Sequence, residues 1–118
     1  MVPRALVVQS RPDVARAVSA ALAGADVQAI VLSDGHAAVT AVQTWDPHVV
    51  LVDLTLPPLD GWYVLAAVGA LAGHPLLVVR VADASQIDRA VALGADAWVD
   101  DDVHVVAAAG RLALAMAA

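Results

Sequence analysis

Asp53 is the residue of this chain best placed to do chemistry. It closes the apolar run Val49-Val50-Leu51-Val52, and a loop containing Pro57, Pro58, Asp60 and Gly61 follows before apolar periodicity resumes at Trp62. A buried parallel strand reads this way when it delivers a carboxylate to the rim of a sheet. Functional groups of open α/β sheets gather at that rim, outside the carboxyl ends of the strands. Three other apolar runs end on polar residues of the same kind. Gln9-Ser10 follow Ala5–Val8, Arg80 lies near the end of Leu76–Val81, and Asp100-Asp101-Asp102 follow Ala97–Val99. A guanidinium there either grips an anion in its fork or pairs with a neighbouring acid. The aspartate run reads as a solvated loop favoured by a following helix dipole, or less simply as a metal cluster. Ser10, just before Arg11-Pro12-Asp13, reads as a helix cap.

The elements that must hold these residues alternate regularly. Strands are expected at Ala5–Val8, Val27–Leu32, Val49–Val52, Leu76–Val81 and Ala97–Val99. Helices are expected at Val14–Ala23, Ala37–Thr44, Trp62–Leu71, Ser85–Leu93 and Val103–Met116, with Gly24, Gly73 and Gly94 as stops. Five βα units imply a parallel sheet with helices on both faces. The expected fold is a flavodoxin-like (βα)5 three-layer sandwich of strand order 2-1-3-4-5, whose switch point brings Gln9, Ser10 and Asp53 together. One domain spans residues 1–118.

Composition narrows the function. The chain has no Cys, so disulfides, thiolate metal sites and thiol nucleophiles are excluded. Every acid is Asp and every base other than His is Arg, and the net charge is −6, which argues against nucleic-acid binding by this domain. Trp62 to Val79 lacks Asp and Arg, but Gly69, Gly73, His74 and Pro75 interrupt it, so no membrane span is expected. No signal peptide is visible, and a cytoplasmic location is expected. His36, His48, His74 and His104 share no ligand spacing. No Gly-rich phosphate loop follows the first strand, so a flavodoxin-like nucleotide or flavin carrier is weakly supported.

The whole chain resembles a response-regulator receiver domain of the CheY-like kind. The resemblance rests on Pro47 to Leu65, with Asp53 at the phosphoacceptor position and Pro57 and Asp60-Gly61 in the loop after it. Gly94-Ala95-Asp96 matches the turn before the fifth strand, and Trp98 lands at an aromatic switch position. The resemblance implies a signal-transduction protein of a two-component phosphorelay, not an enzyme. It also implies which residues depart from the family. Gln9 and Ser10 stand where two acids hold Mg²⁺, Arg80 where a Thr or Ser hydroxyl meets the phosphoryl group, and Asp101 with Asp102 where Lys and Pro follow the fifth strand. Losing the metal and the lysine removes both cationic clamps of phosphoryl transfer, each worth a few kcal/mol.

The resulting expectation is an atypical receiver: an interaction and regulatory module with no cofactor, weak Mg²⁺ binding and no Mg²⁺-dependent phosphorylation. Its partner face would be the fourth helix, fifth strand and fifth helix around Trp98. The partner would be a histidine kinase, an output domain or a second copy of the chain. The alternative is a conventional phosphorelay receiver taking a phosphoryl group from a histidine kinase onto Asp53. Arg80 is expected to bridge to Asp53 or to the Asp100–Asp101 pair. Tyr63 is expected to face solvent from the third helix.

Overall fold

A computed structural model describes residues 2–55, 61–100, 107 and 111. The elements run β1 (Arg4–Val8), α1 (Pro12–Ala23), β2 (Gln28–Leu32), α2 (Gly35–Trp45), β3 (Val49–Asp53), α3 (Gly61–Gly69), β4 (Leu76–Arg80), a 3₁₀ turn (Ala84–Gln86), α4 (Ile87–Ala92) and β5 (Ala97–Val99). All five strands are parallel, in the order β2-β1-β3-β4-β5. The flavodoxin-like architecture expected from the sequence is present. The expected fifth helix and Asp101 lie outside the described residues, apart from helical positions Ala107 and Arg111.

Alternation along the strands builds two cores. Leu6, Val8, Val50, Val52, Leu77 and Val79 point to one face and pack with Ala38 and Val42 of α2, Val64, Leu65 and Val68 of α3, and Ala90 of α4. Ala5, Val7, Val49, Leu51 and Val78 point to the other, against Val14, Val18 and Leu22 of α1. The central strand β3 is buried along its whole length, as a strand covered on both faces must be.

Local chemistry sets the ends of the elements, and in places it differs from the expected reading. Helix α1 begins at Pro12, whose fixed φ suits a first helical position. Its N-cap is Arg11, without a side-chain cap, so Ser10 is not the cap expected. Gly24 ends α1 in right-handed geometry, and the left-handed residue of that turn is Asp26 at φ 59°. Asp34 caps α2 by accepting from the His36 and Ala37 N–H groups at 2.8 and 3.1 Å, so that helix starts earlier than its apolar pattern suggests. Asp96 ties the turn before β5 to β4. Its Oδ2 accepts from Leu77 N at 2.9 Å, and its own N–H donates to Leu77 O at 2.8 Å.

Candidate functional site

The register of the sheet creates the site. Asp53, the last residue of β3, is paired directly with Arg80, the last residue of β4. Leu54 N donates to Arg80 O at 2.9 Å, which extends the pairing one step past the strand end. Gln9 follows β1, the neighbour of β3 on the other side. Three chain segments distant in sequence therefore meet at one rim.

Asp53 is 3% exposed and Gln9 5% exposed. A buried carboxylate without partners is costly, and here the partners are present. Gln9 Nε2 donates to Asp53 Oδ2 at 2.9 Å, and Gln9 Oε1 accepts from Arg11 N at 3.1 Å. Thr55 donates twice to Asp53 Oδ1, from its backbone N–H at 2.8 Å and its hydroxyl at 2.6 Å. The same hydroxyl accepts from Arg80 Nη1 at 2.6 Å. Arg80 Nη1 lies 3.8 Å from Asp53 Oδ1, so the expected ion pair to Asp53 forms, with Thr55 between its ends. The Arg80 side chain is 17% exposed. Beneath these groups, among the valines of β1, β3 and β4, is an interior space of about 20 Å³, room for roughly one water.

Thr55 was not legible as a member of this site. The available signal was a hydroxyl two residues after the rim aspartate, the spacing of a local side-chain turn. Gly61 sits behind the site. A Cβ there would lie 2.5 Å from Asp53 O, so only glycine lets α3 start this close to the strand end.

The other expected residues are dispersed. Ser10 is half-buried and lines a surface groove beside α1. Trp98 is 46% exposed on β5 and borders a surface groove of about 370 Å³ with Ile87, Asp100 and Arg111. Tyr63 is exposed, and its hydroxyl lies 3.3 Å from His36 Nδ1. His48 is exposed and accepts from Arg4 N at 3.0 Å. His74 is half-buried beside Pro75 O, and His104 lies outside the described residues. Among the described residues, no group of three or more metal-ligating side chains is gathered, and no helix is long and apolar enough to cross a membrane.

Residues 5–105 match the response regulator receiver domain family. The chain belongs to that family. The DNA-binding response regulator MtrA of Mycolicibacterium smegmatis is 36% identical to this receiver over 100 residues, 85% of this chain and 42% of that protein. The transcriptional regulatory protein KdpE of Mycobacterium tuberculosis is 33% identical over 95 residues, 80% of this chain and 42% of that protein. The chain thus spans about two fifths of these curated relatives' length. Among solved structures, a response regulator from Hahella chejuensis superposes with a TM-score of 0.81 at 22% identity, covering 97% of this chain and 94% of that one. A signal receiver domain from Bermanella marisrubri gives 0.79 at 25% identity, covering 95% and 98%. The fold and the two-component signalling class are therefore those of a receiver. Nothing in these likenesses marks the chain as an atypical member. That distinction rests on its own pocket residues alone.

Proposed function

We propose that this receiver domain acts as a regulatory, protein-binding module whose state is set without Mg²⁺-dependent phosphorylation of Asp53. The observation that carries this reading is the closure of Gln9, Thr55 and Arg80 on the Asp53 carboxylate. Mg²⁺ takes hard oxygens in an octahedron and usually relies on one or two carboxylates plus phosphate. Here Gln9 turns an N–H toward Asp53, Ser10 brings only a hydroxyl, and both oxygens of Asp53 are engaged. Such a donor set does not fit Mg²⁺. Phosphoryl transfer also needs cations around the equatorial oxygens, and among the described residues Arg80 is the cation at Asp53. Partners would engage the exposed face around Trp98. The partner would be a histidine kinase, an output domain or a second copy of the chain. Nucleic acid is disfavoured by the net charge of −6.

Kinship favours a second reading, the conventional one, and supports it better than it supports the first. In that reading the P–N bond of a kinase phosphohistidine breaks as a P–O bond forms at Asp53. Intact mass spectrometry after incubation with acetyl phosphate and Mg²⁺ separates the two. The expected result is unmodified protein, in wild type and in Arg80→Thr alike. A phosphoryl adduct on wild type that disappears in Asp53→Asn establishes the conventional reading instead.

A further inference from the structure

The side chain of Gln9 borders two spaces. One is the small interior space beside Asp53, and the other is a surface groove of about 480 Å³ between α1 and the C-terminal end of β2. Ser10, Arg16, Ser19 and Ser33 supply polar groups to the groove, and Ala15 with Val31 forms part of its apolar wall. Val31 is 39% exposed although it belongs to a strand of the sheet. The groove is open to solvent and mixes apolar with polar lining, and its volume leaves room for a small ligand.

Charge decides which ligand fits. Of the residues that line the groove, Gln9 and Ser10 are neutral and the formally charged one is Arg16. Arg16 forms no salt bridge among the described residues, in which Asp13 lies 3.4 Å from Arg11 and Asp34 is turned to cap α2. Neither aspartate lines the groove. The formal charge lining the groove is thus a cation, in a chain of net charge −6.

We propose that this groove binds a small organic anion. Its carboxylate or phosphate meets Arg16 and the serine hydroxyls, and its apolar body lies along Ala15 and Val31. Gln9 links this site to the receiver pocket. Its Oε1 accepts from the N-cap residue of α1, and its Nε2 holds Asp53. An anion that shifts the start of α1 therefore acts on the Asp53 network through one side chain. The site is independent of whether Asp53 accepts a phosphoryl group.

The test is an NMR titration of the full chain, without Mg²⁺ or phosphodonor, using hexanoate, inorganic phosphate and hexanol. Saturable shifts are expected with hexanoate at the Ser10, Arg16 and Ser33 amides and at the Gln9 side-chain amide. Loss of a charge-assisted contact predicts binding about tenfold weaker or more for hexanol, and for hexanoate with Arg16→Ala. Arg16 is exposed, so that variant should keep the wild-type spectrum elsewhere. Phosphate acting at the same amides shows that the acidic group alone suffices, and hexanoate acting alone shows that the apolar wall contributes. Either result supports the site. No saturable shift with either anion, or an equal response from hexanol or from Arg16→Ala, overturns it. Groove shifts that leave Gln9 unmoved overturn the coupling to Asp53.

Discussion

One oxygen of Thr55 holds two charged residues together, donating to Asp53 and accepting from Arg80, each at 2.6 Å. Thr55→Val keeps the shape and removes that oxygen. It leaves Asp53 Oδ1 with the backbone N–H of Thr55 and a distant guanidinium. A buried acceptor deprived of a partner loses about 1–3 kcal/mol. Urea unfolding should place Thr55→Val in that range, well beyond the roughly ±0.5 kcal/mol of an ordinary surface change. A value inside the surface range would mean that Arg80 pairs with Asp53 equally well without the hydroxyl. A second carboxylate, Asp83, caps the 3₁₀ turn before α4. The Ser85 hydroxyl first, and the Ser85 backbone N–H second, hold its carboxyl below the usual aspartate value. A depressed folded value stabilises above the unfolded value and is lost as pH falls through the folded one. The loss belongs to the acid side, at about pH 4 and lower. NMR titration should show the Asp83 carboxyl still ionised where exposed aspartates protonate, and Ser85→Ala should raise its midpoint.

Two glycines at helix ends show why an element must be judged by what it touches. Gly69, the last residue of α3, packs against the turn between α4 and β5, where a Cβ would run into Leu93 O. Gly94 sits opposite at φ 115°, and a Cβ on it would lie 2.9 Å from Gly69 Cα. Gly24, after α1, has right-handed geometry, and a methyl added there would meet only ordinary contacts, the nearest being Ala20 O at 3.5 Å. The same substitution should therefore act with opposite signs. Gly24→Ala should be neutral or stabilise by about 0.4–1 kcal/mol through the unfolded chain. Gly69→Ala should destabilise by about 1–3 kcal/mol through overpacking, despite alanine's better helix propensity. Thermal melts of the two variants side by side check this, and equal shifts would refute it. The short α4 gains a further hold on α3 because Arg89 lies 4.3 Å over the Trp62 ring.

At the scale of the whole molecule, the question is whether the folded state responds to Mg²⁺. A ligand that binds only the folded state adds RT ln(1 + [L]/Kd), about 2.7 kcal/mol at a hundred times Kd. For a domain of this size that is a shift of several degrees in Tm. With Gln9, Thr55 and Arg80 arranged around Asp53, millimolar Mg²⁺ is expected to leave Tm unchanged, as measured by calorimetry against a matched calcium- and magnesium-free control. A rise of several degrees that Asp53→Asn abolishes would show that the pocket opens to the metal and would favour the conventional phosphorelay reading.

The sequence alone determined the layers of this protein. Each strand is a short apolar run stopped by a polar residue, a longer helical segment follows each run, and both are local signals, so the doubly wound order followed. It also marked Asp53, Gln9 and Arg80, because strand ends in such a sheet converge on one rim. The tertiary structure decided what those residues do to one another. Pairing of Asp53 with Arg80 depends on the β3–β4 register, which no local pattern encodes. The bridging role of Thr55 depends on how the chain bends at Leu54–Thr55, just after β3, to bring its hydroxyl between Asp53 and Arg80. The cap of α1 passed from Ser10 to an uncapped Arg11 because Gln9, held by Asp53, takes the Arg11 N–H. Long-range hydrogen bonds overrode a short-range preference there, since a buried carboxylate must be satisfied before an exposed helix end.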